Sequence, residues 1–115
     1  MKLEMRGRET DWTEQVRRHA ERRLRYALSR FSRTIGLVSV RILDAHDARG
    51  GVEKTCRIVV SLLPNGRIVV EETDGDVLAA LERAADRAGR AVGCKLSRER
   101  DPEMARAAAR PEGGA

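Results

Sequence analysis

Cys56-Arg57-Ile58-Val59-Val60-Ser61-Leu62-Leu63-Pro64-Asn65-Gly66-Arg67-Ile68-Val69-Val70-Glu71-Glu72 is the stretch that decides how this 115-residue chain folds. Cys56, Ile58, Val60 and Leu62 recur at every second position, the period of a strand with one buried face. Pro64-Asn65-Gly66 then reads as a tight turn, because Pro presets its own φ and Asn-Gly tolerates positive φ. The chain returns as a second strand over Arg67 to Glu72, so the two make an antiparallel hairpin.

Working outward, Leu37-Val38-Ser39-Val40-Arg41-Ile42 is a further strand that buries Val38, Val40 and Ile42. The connection Asp44-Ala45-His46-Asp47-Ala48-Arg49-Gly50-Gly51 is polar and rich in glycine, and reads as a flexible loop. Nearer the start, Leu3 and Met5 alternate with Lys2, Glu4 and Arg6 in a short strand that Gly7 ends. Between these strands the spacing predicts one long helix over Asp11 to Arg33, with Val16, Ala20, Leu24, Ala27, Leu28 and Phe31 on a single apolar stripe. Its start is either Asp11, which forms a capping box with Glu14, or Thr13. Trp12 is expected to staple the entering chain onto the helix, as a core residue rather than a base-stacking platform.

After the hairpin, Thr73 to Asp76 supply caps for a second helix that carries Val77, Leu81, Ala84, Ala85, Ala88, Val92 and Leu96 on its apolar side. From residue 98 onward Pro, Gly and small residues without apolar period predict a disordered tail. The element order is therefore β-α-β-β-β-α in one domain over 1–97. The fold class expected is α+β, a two-layer sandwich with both helices on the one apolar face of a four-stranded sheet.

Charge narrows the function. Lys and Arg number 23 against 18 Asp and Glu, a net charge of +5, and most of the cations are arginine. On the first helix Arg17, Arg18, Arg22, Arg23 and Arg25 are relieved only by Glu14 and Glu21. Arg18, Arg22 and Arg25 stand one above another, and like charges at that spacing repel by roughly 0.2–0.5 kcal/mol per pair unless an anion neutralises them. The second helix repeats the pattern with Arg83, Arg87 and Arg90, followed by Lys95. Two arginine stripes flanking a shared outer groove would make a track for a phosphate backbone, to which arginine's planar fork is matched. These nine residues are the candidate RNA-binding site.

Other functions find little support. No apolar run approaches the ~18 residues of a membrane span, and the N-terminus lacks a signal peptide's apolar region, so a cytoplasmic protein is expected. Cys56 and Cys94 lack metal or redox spacing and read as reduced thiols. His19 has no fixed acidic or nucleophilic partner, and Asp44, His46 and Asp47 read as a turn rather than a cation site. No phosphate-binding glycine motif or Ser/His/Asp pattern occurs. The expectation is no enzyme, no cofactor, no metal and no small-molecule substrate.

Several segments resemble the bacterial ribosome hibernation factors, the hibernation-promoting factor and ribosome-associated inhibitor family. Trp12-Thr13-Glu14-Gln15-Val16-Arg17 is similar to that family's helix opening, and Phe31 to the aromatic residue that closes the helix. Asp76-Val77-Leu78-Ala79-Ala80-Leu81-Glu82, continuing to Asp86-Arg87 and Arg90, is similar to its second-helix signature. Arg49-Gly50-Gly51-Val52-Glu53-Lys54-Thr55-Cys56-Arg57 resembles a short branch of the family. The resemblance covers about residues 1 to 97 and implies a fold related to double-stranded-RNA-binding domains. It further implies a protein that lodges in the small ribosomal subunit, between head and body, and silences translation under stress or in stationary phase. Arg17, Arg23, Arg87 and Arg90 are carried over by motif, whereas Arg18, Arg22, Arg25 and Arg83 come from helical geometry. Leu78 departs from the family's usual Tyr, and Cys94 from a basic residue, while Gly89 and Gly93 interrupt the second helix, each at a cost of about 0.8–1.0 kcal/mol relative to Ala. Two rival readings are a double-stranded-RNA binder without ribosomal role and a domain that self-associates weakly through Val59, Val69 and Leu63 of its sheet.

Overall fold

The computed structural model describes residues 1–46 and 48–100, and of Arg100 only the backbone. Its elements are β1 (Lys2–Arg6), α1 (Glu14–Leu28), a 3-10 turn (Ser29–Phe31), β2 (Ile35–His46), β3 (Val52–Leu62), β4 (Arg67–Asp74) and α2 (Val77–Arg100). The strands form one sheet in the order β1-β2-β3-β4. β2, β3 and β4 are an antiparallel meander, and β1 pairs parallel to β2. The α+β fold expected from the sequence is the one observed.

The core is built from the predicted alternation. Val38, Val40 and Ile42 of β2, Cys56, Ile58 and Val60 of β3 and Val70 of β4 are buried on one sheet face. Against them lie Val16, Ala20, Leu24 and Leu28 of α1 and Ala80, Leu81, Ala84, Ala85, Ala88 and Val92 of α2. Removing a Leu or Val side chain from water in this way contributes about 1.5–3 kcal/mol each. No polar or charged side chain is buried among the described residues. Trp12 is core, and its indole donates to the Arg6 carbonyl oxygen at 2.7 Å, joining the start of α1 to the end of β1. No helix of the described residues is long and apolar enough to cross a membrane.

Several boundaries differ from expectation, each for a physical reason. Thr13 is the N-cap of α1, its Oγ1 accepting from the Val16 amide at 3.2 Å. Asp11 instead bonds Arg8 and Lys54. The α-helix ends at Leu28 rather than Arg33. β2 begins at Ile35, two residues earlier than the alternation suggested, and the Thr34 carbonyl oxygen accepts from the Leu63 amide at 2.7 Å, so only a tight 3-10 turn fits between. At its far end β2 continues through Asp44 and His46, which were read as loop. Their ladder with β3 persists because Asp44 stands opposite Lys54 and binds its ammonium at 2.5 Å. In the β3–β4 turn Gly66 alone takes positive φ, +99°, and its carbonyl oxygen accepts from the Leu62 amide at 2.8 Å. Leu63 lies in this turn, beyond β3. α2 runs on through Arg100, so Arg98 and Arg100 are on the helix. Asp47 and the stretch 101–115 expected to form most of the tail lie outside the described residues.

Candidate nucleic-acid interface

The nine expected cations divide into three groups. Arg18, Arg22 and Arg25 occupy the outer face of α1, turned to solvent. Arg18 pairs with Glu14 at 2.6 Å, one turn away. Arg22 and Arg25 make no ion pair or hydrogen bond with any described residue. Arg17 sits at the other side of the helix start, its guanidinium 5.9 Å from the Trp12 ring centroid and its Nη1 donating to Met5 Sδ at 3.4 Å.

A second group lies where the helices meet. Arg23 crosses to Asp86 of α2 at 2.9 Å, and His19, for which the sequence offered no fixed acidic partner, has its Nε2 2.9 Å from Glu82 Oε1 because the crossing of the helices brings the two together. Farther along, Tyr26, Ala27, Ser29 and Arg30 face Asp86, Gly89 and Arg90 across an open cleft of about 580 Å³. Arg90 has no partner among the described residues. The Arg30 guanidinium stacks 4.8 Å from the Phe31 centroid, and Arg23 lies 5.9 Å from that of Tyr26, which is 81% exposed.

The third group is not at this cleft. Arg83 and Arg87 lie on the opposite flank of α2, over the edge of β4. Arg83 donates to the Thr73 carbonyl oxygen at 3.0 Å and pairs with Asp74 at 3.1 Å. Arg87 donates to the Glu71 carbonyl oxygen at 2.9 Å and to Glu72 at 3.0 Å. These contacts occupy carbonyls of an edge strand, which would otherwise be open to another chain. Lys95 is 3.6 Å from Glu99, its stem passing over Gly66 in the hairpin turn. The two stripes therefore do not flank one groove. Arg23 and Arg90 are brought together with Arg30 and Tyr26, while Arg83, Arg87 and Lys95 are placed elsewhere.

Neither Tyr26 nor Arg30 is among the nine residues expected from the sequence. Arg30 follows Arg23 by seven residues, two turns on the same face, which was the available signal. At Cys56 burial pushes the thiol up to about 12, leaving it an inert core group. Among the described residues no three His, Cys, Asp or Glu side chains gather as a metal site.

These features define an α+β domain with exposed, unpartnered arginines and a solvent-facing tyrosine. The profile of the sigma 54 modulation protein / S30EA ribosomal protein family matches residues 3–98. The chain belongs to that family, the non-enzymatic, ribosome-binding hibernation factors that the sequence resembles. Among solved structures it is similar to the Protein Y N-terminal domain of Thermus thermophilus, at 31% identity and a TM-score of 0.57, over 79% of this chain and 91% of that one. No curated protein matches it significantly.

Proposed function

We propose that this hibernation factor binds the small ribosomal subunit through ribosomal RNA and inhibits translation by occupying space that messenger and transfer RNA require. A ribosome-bound protein of this kind works in the cytoplasm. Arg22 and Arg25 carry the reading: two exposed guanidinium groups beside Arg18, without an acid partner among the described residues, in a family that binds ribosomes. Arg17, Arg18 and Arg23 extend the cationic surface along α1, and Arg30 and Arg90 continue it at the cleft mouth. Tyr26 offers a flat face on which an unpaired base stacks, with Arg23 behind it. Arg83, Arg87 and Lys95 reach RNA only by exchanging their present partners for phosphate.

Co-sedimentation with purified small subunits tests this. Binding should weaken steeply with salt, each phosphate contact adding about 0.7–0.9 to the logarithmic slope. The R22E/R25E variant should lose pelleting while keeping its far-UV circular dichroism and melting temperature, because neither side chain has a partner among the described residues to lose. Unchanged pelleting of that variant would overturn the assignment.

A further inference from the structure

The face of the sheet turned away from the helices carries Arg6, Arg41 and Arg57 in one line. Arg6 is the ladder partner of Arg41, and Arg41 of Arg57, so the three project from adjacent strands, which lie about 4.8 Å apart. Their direction follows from alternation, since Met5, Val40, Ile42, Cys56 and Ile58 beside them all pack into the core. Arg6 is paired with Glu4. Arg41 and Arg57 are exposed, and their side chains make no hydrogen bond or ion pair with any described residue. Glu71 closes the row across from Arg57, without an ion pair to it. Like charges set directly opposite destabilise a ladder, yet here the two central positions are both arginine.

An open depression of about 210 Å³ lies within the row, lined by the three arginines with Ser39 and Val59. Val59 and its ladder partner Val69, 41% exposed, add apolar surface beside it. Read alone, that apolar pair suggests self-association. The arginines argue against it, because a second copy laid face to face would bring further arginines onto these. A phosphodiester strand meets both requirements: its phosphates neutralise a line of guanidinium groups, and its bases lie against the valines.

We infer that the open sheet face is a second RNA-binding surface, in which Arg41 and Arg57, flanked by Arg6, hold the backbone of an unpaired strand. The domain then grips RNA on both layers of the sandwich. This extends the ribosomal reading without depending on the α1 residues.

Titration of the full ¹⁵N-labelled chain with a 12-nucleotide oligouridylate tests it. Amide shifts of Ser39, Arg41, Arg57 and Val59 should move with RNA. By fluorescence anisotropy, R41A/R57A should bind the same oligonucleotide at least about tenfold more weakly at 0.05 M salt, with a logarithmic salt slope smaller by about 1.4, some 0.7 for each of two phosphates. Shifts confined to the helices, or an unchanged slope, overturn the proposal. So do sheet-face shifts that appear on raising protein concentration without RNA, which would assign the face to a second copy. If the wild-type chain fails to pellet with small subunits while the sheet amides still respond to RNA, the ribosomal reading falls and the sheet-face site stands. If R22E/R25E abolishes pelleting and the sheet amides stay still, the outcome is reversed.

Discussion

Gly89 is where one hydrogen atom decides how the helices cross. A methyl group built there would stand 2.9 Å from the Ala27 carbonyl oxygen and 3.2 Å from the Ala27 Cβ. Backbone on the facing helix does not yield as a side chain does, so Gly89→Ala pushes α1 and α2 apart. The helix-propensity gain of about 1 kcal/mol offsets only part of that, and a net loss of about 1–2 kcal/mol is expected in urea unfolding. Gly93 differs, because its added methyl would meet only the Phe31 ring, with Cζ at 3.3 Å and Cε2 at 4.0 Å. That ring borders open space near Arg90 and Cys94 and has room to turn. Gly93→Ala should stabilise the domain by up to about 1 kcal/mol. A Gly89→Ala variant as stable as the wild type would show that the crossing distance is set elsewhere. The two glycines were visible in the sequence as interruptions of α2, but the facing atoms that tell them apart belong to α1 and the 3-10 turn.

α2 carries opposite chemistry on its two flanks. Glu82, Asp86 and Gly89 face α1 and Gly93 faces the 3-10 turn, while Arg83 and Arg87 lean over β4. Periodicity marks the buried stripe of a helix but leaves open which flank meets its neighbour. Arg83 and Arg87 were thus legible as exposed cations, but not as covers of a strand edge. The acids and glycines on the other flank were the readable clue, since Asp86 answers Arg23 and Gly89 permits close approach. The same limit explains β2, where Asp44 and His46 interrupt the apolar alternation and the strand continues through backbone pairing and the Asp44–Lys54 bond. One consequence is measurable. R83A/R87A should lower the melting temperature by a few degrees, whereas R22A/R25A should not, because among the described residues only the first pair has partners. Equal melting of both variants would contradict the edge-covering role.

Across the whole molecule, the segment between β1 and α1 is bound to the sheet by a closed ring of alternating charge. Arg8 contacts Asp11 at 3.3 Å and Asp44 at 2.6 Å, and Lys54 contacts the same two carboxylates at 2.9 and 2.5 Å. Hydrogen bonds from Lys54, then from Arg8, hold the Asp44 carboxyl below its ordinary 3.8. The Asp76 amide and then Arg83 do the same for Asp74. A carboxylate whose folded pKa lies below its unfolded one stabilises the fold fully above the unfolded value, and that contribution fades as pH falls through the folded one. The melting temperature should therefore decline below about pH 4, and D44N/D74N should show a shallower decline; an unaltered acid limb would mean that other carboxylates govern it. β1 holds a different kind of consequence. It pairs only with β2 and runs parallel to it, with all of α1 between them in the chain. Its ladder joins residues as far apart in the chain as Lys2 and Leu37, a longer separation than any within the β2-β3-β4 meander. The β2-β3-β4 meander closes through short connections, but β1 must wait for the helix to carry the chain back across the sheet. Closing that longer loop costs more chain entropy than closing either hairpin, so β1 is the strand whose pairing adds most to the non-local character that slows folding.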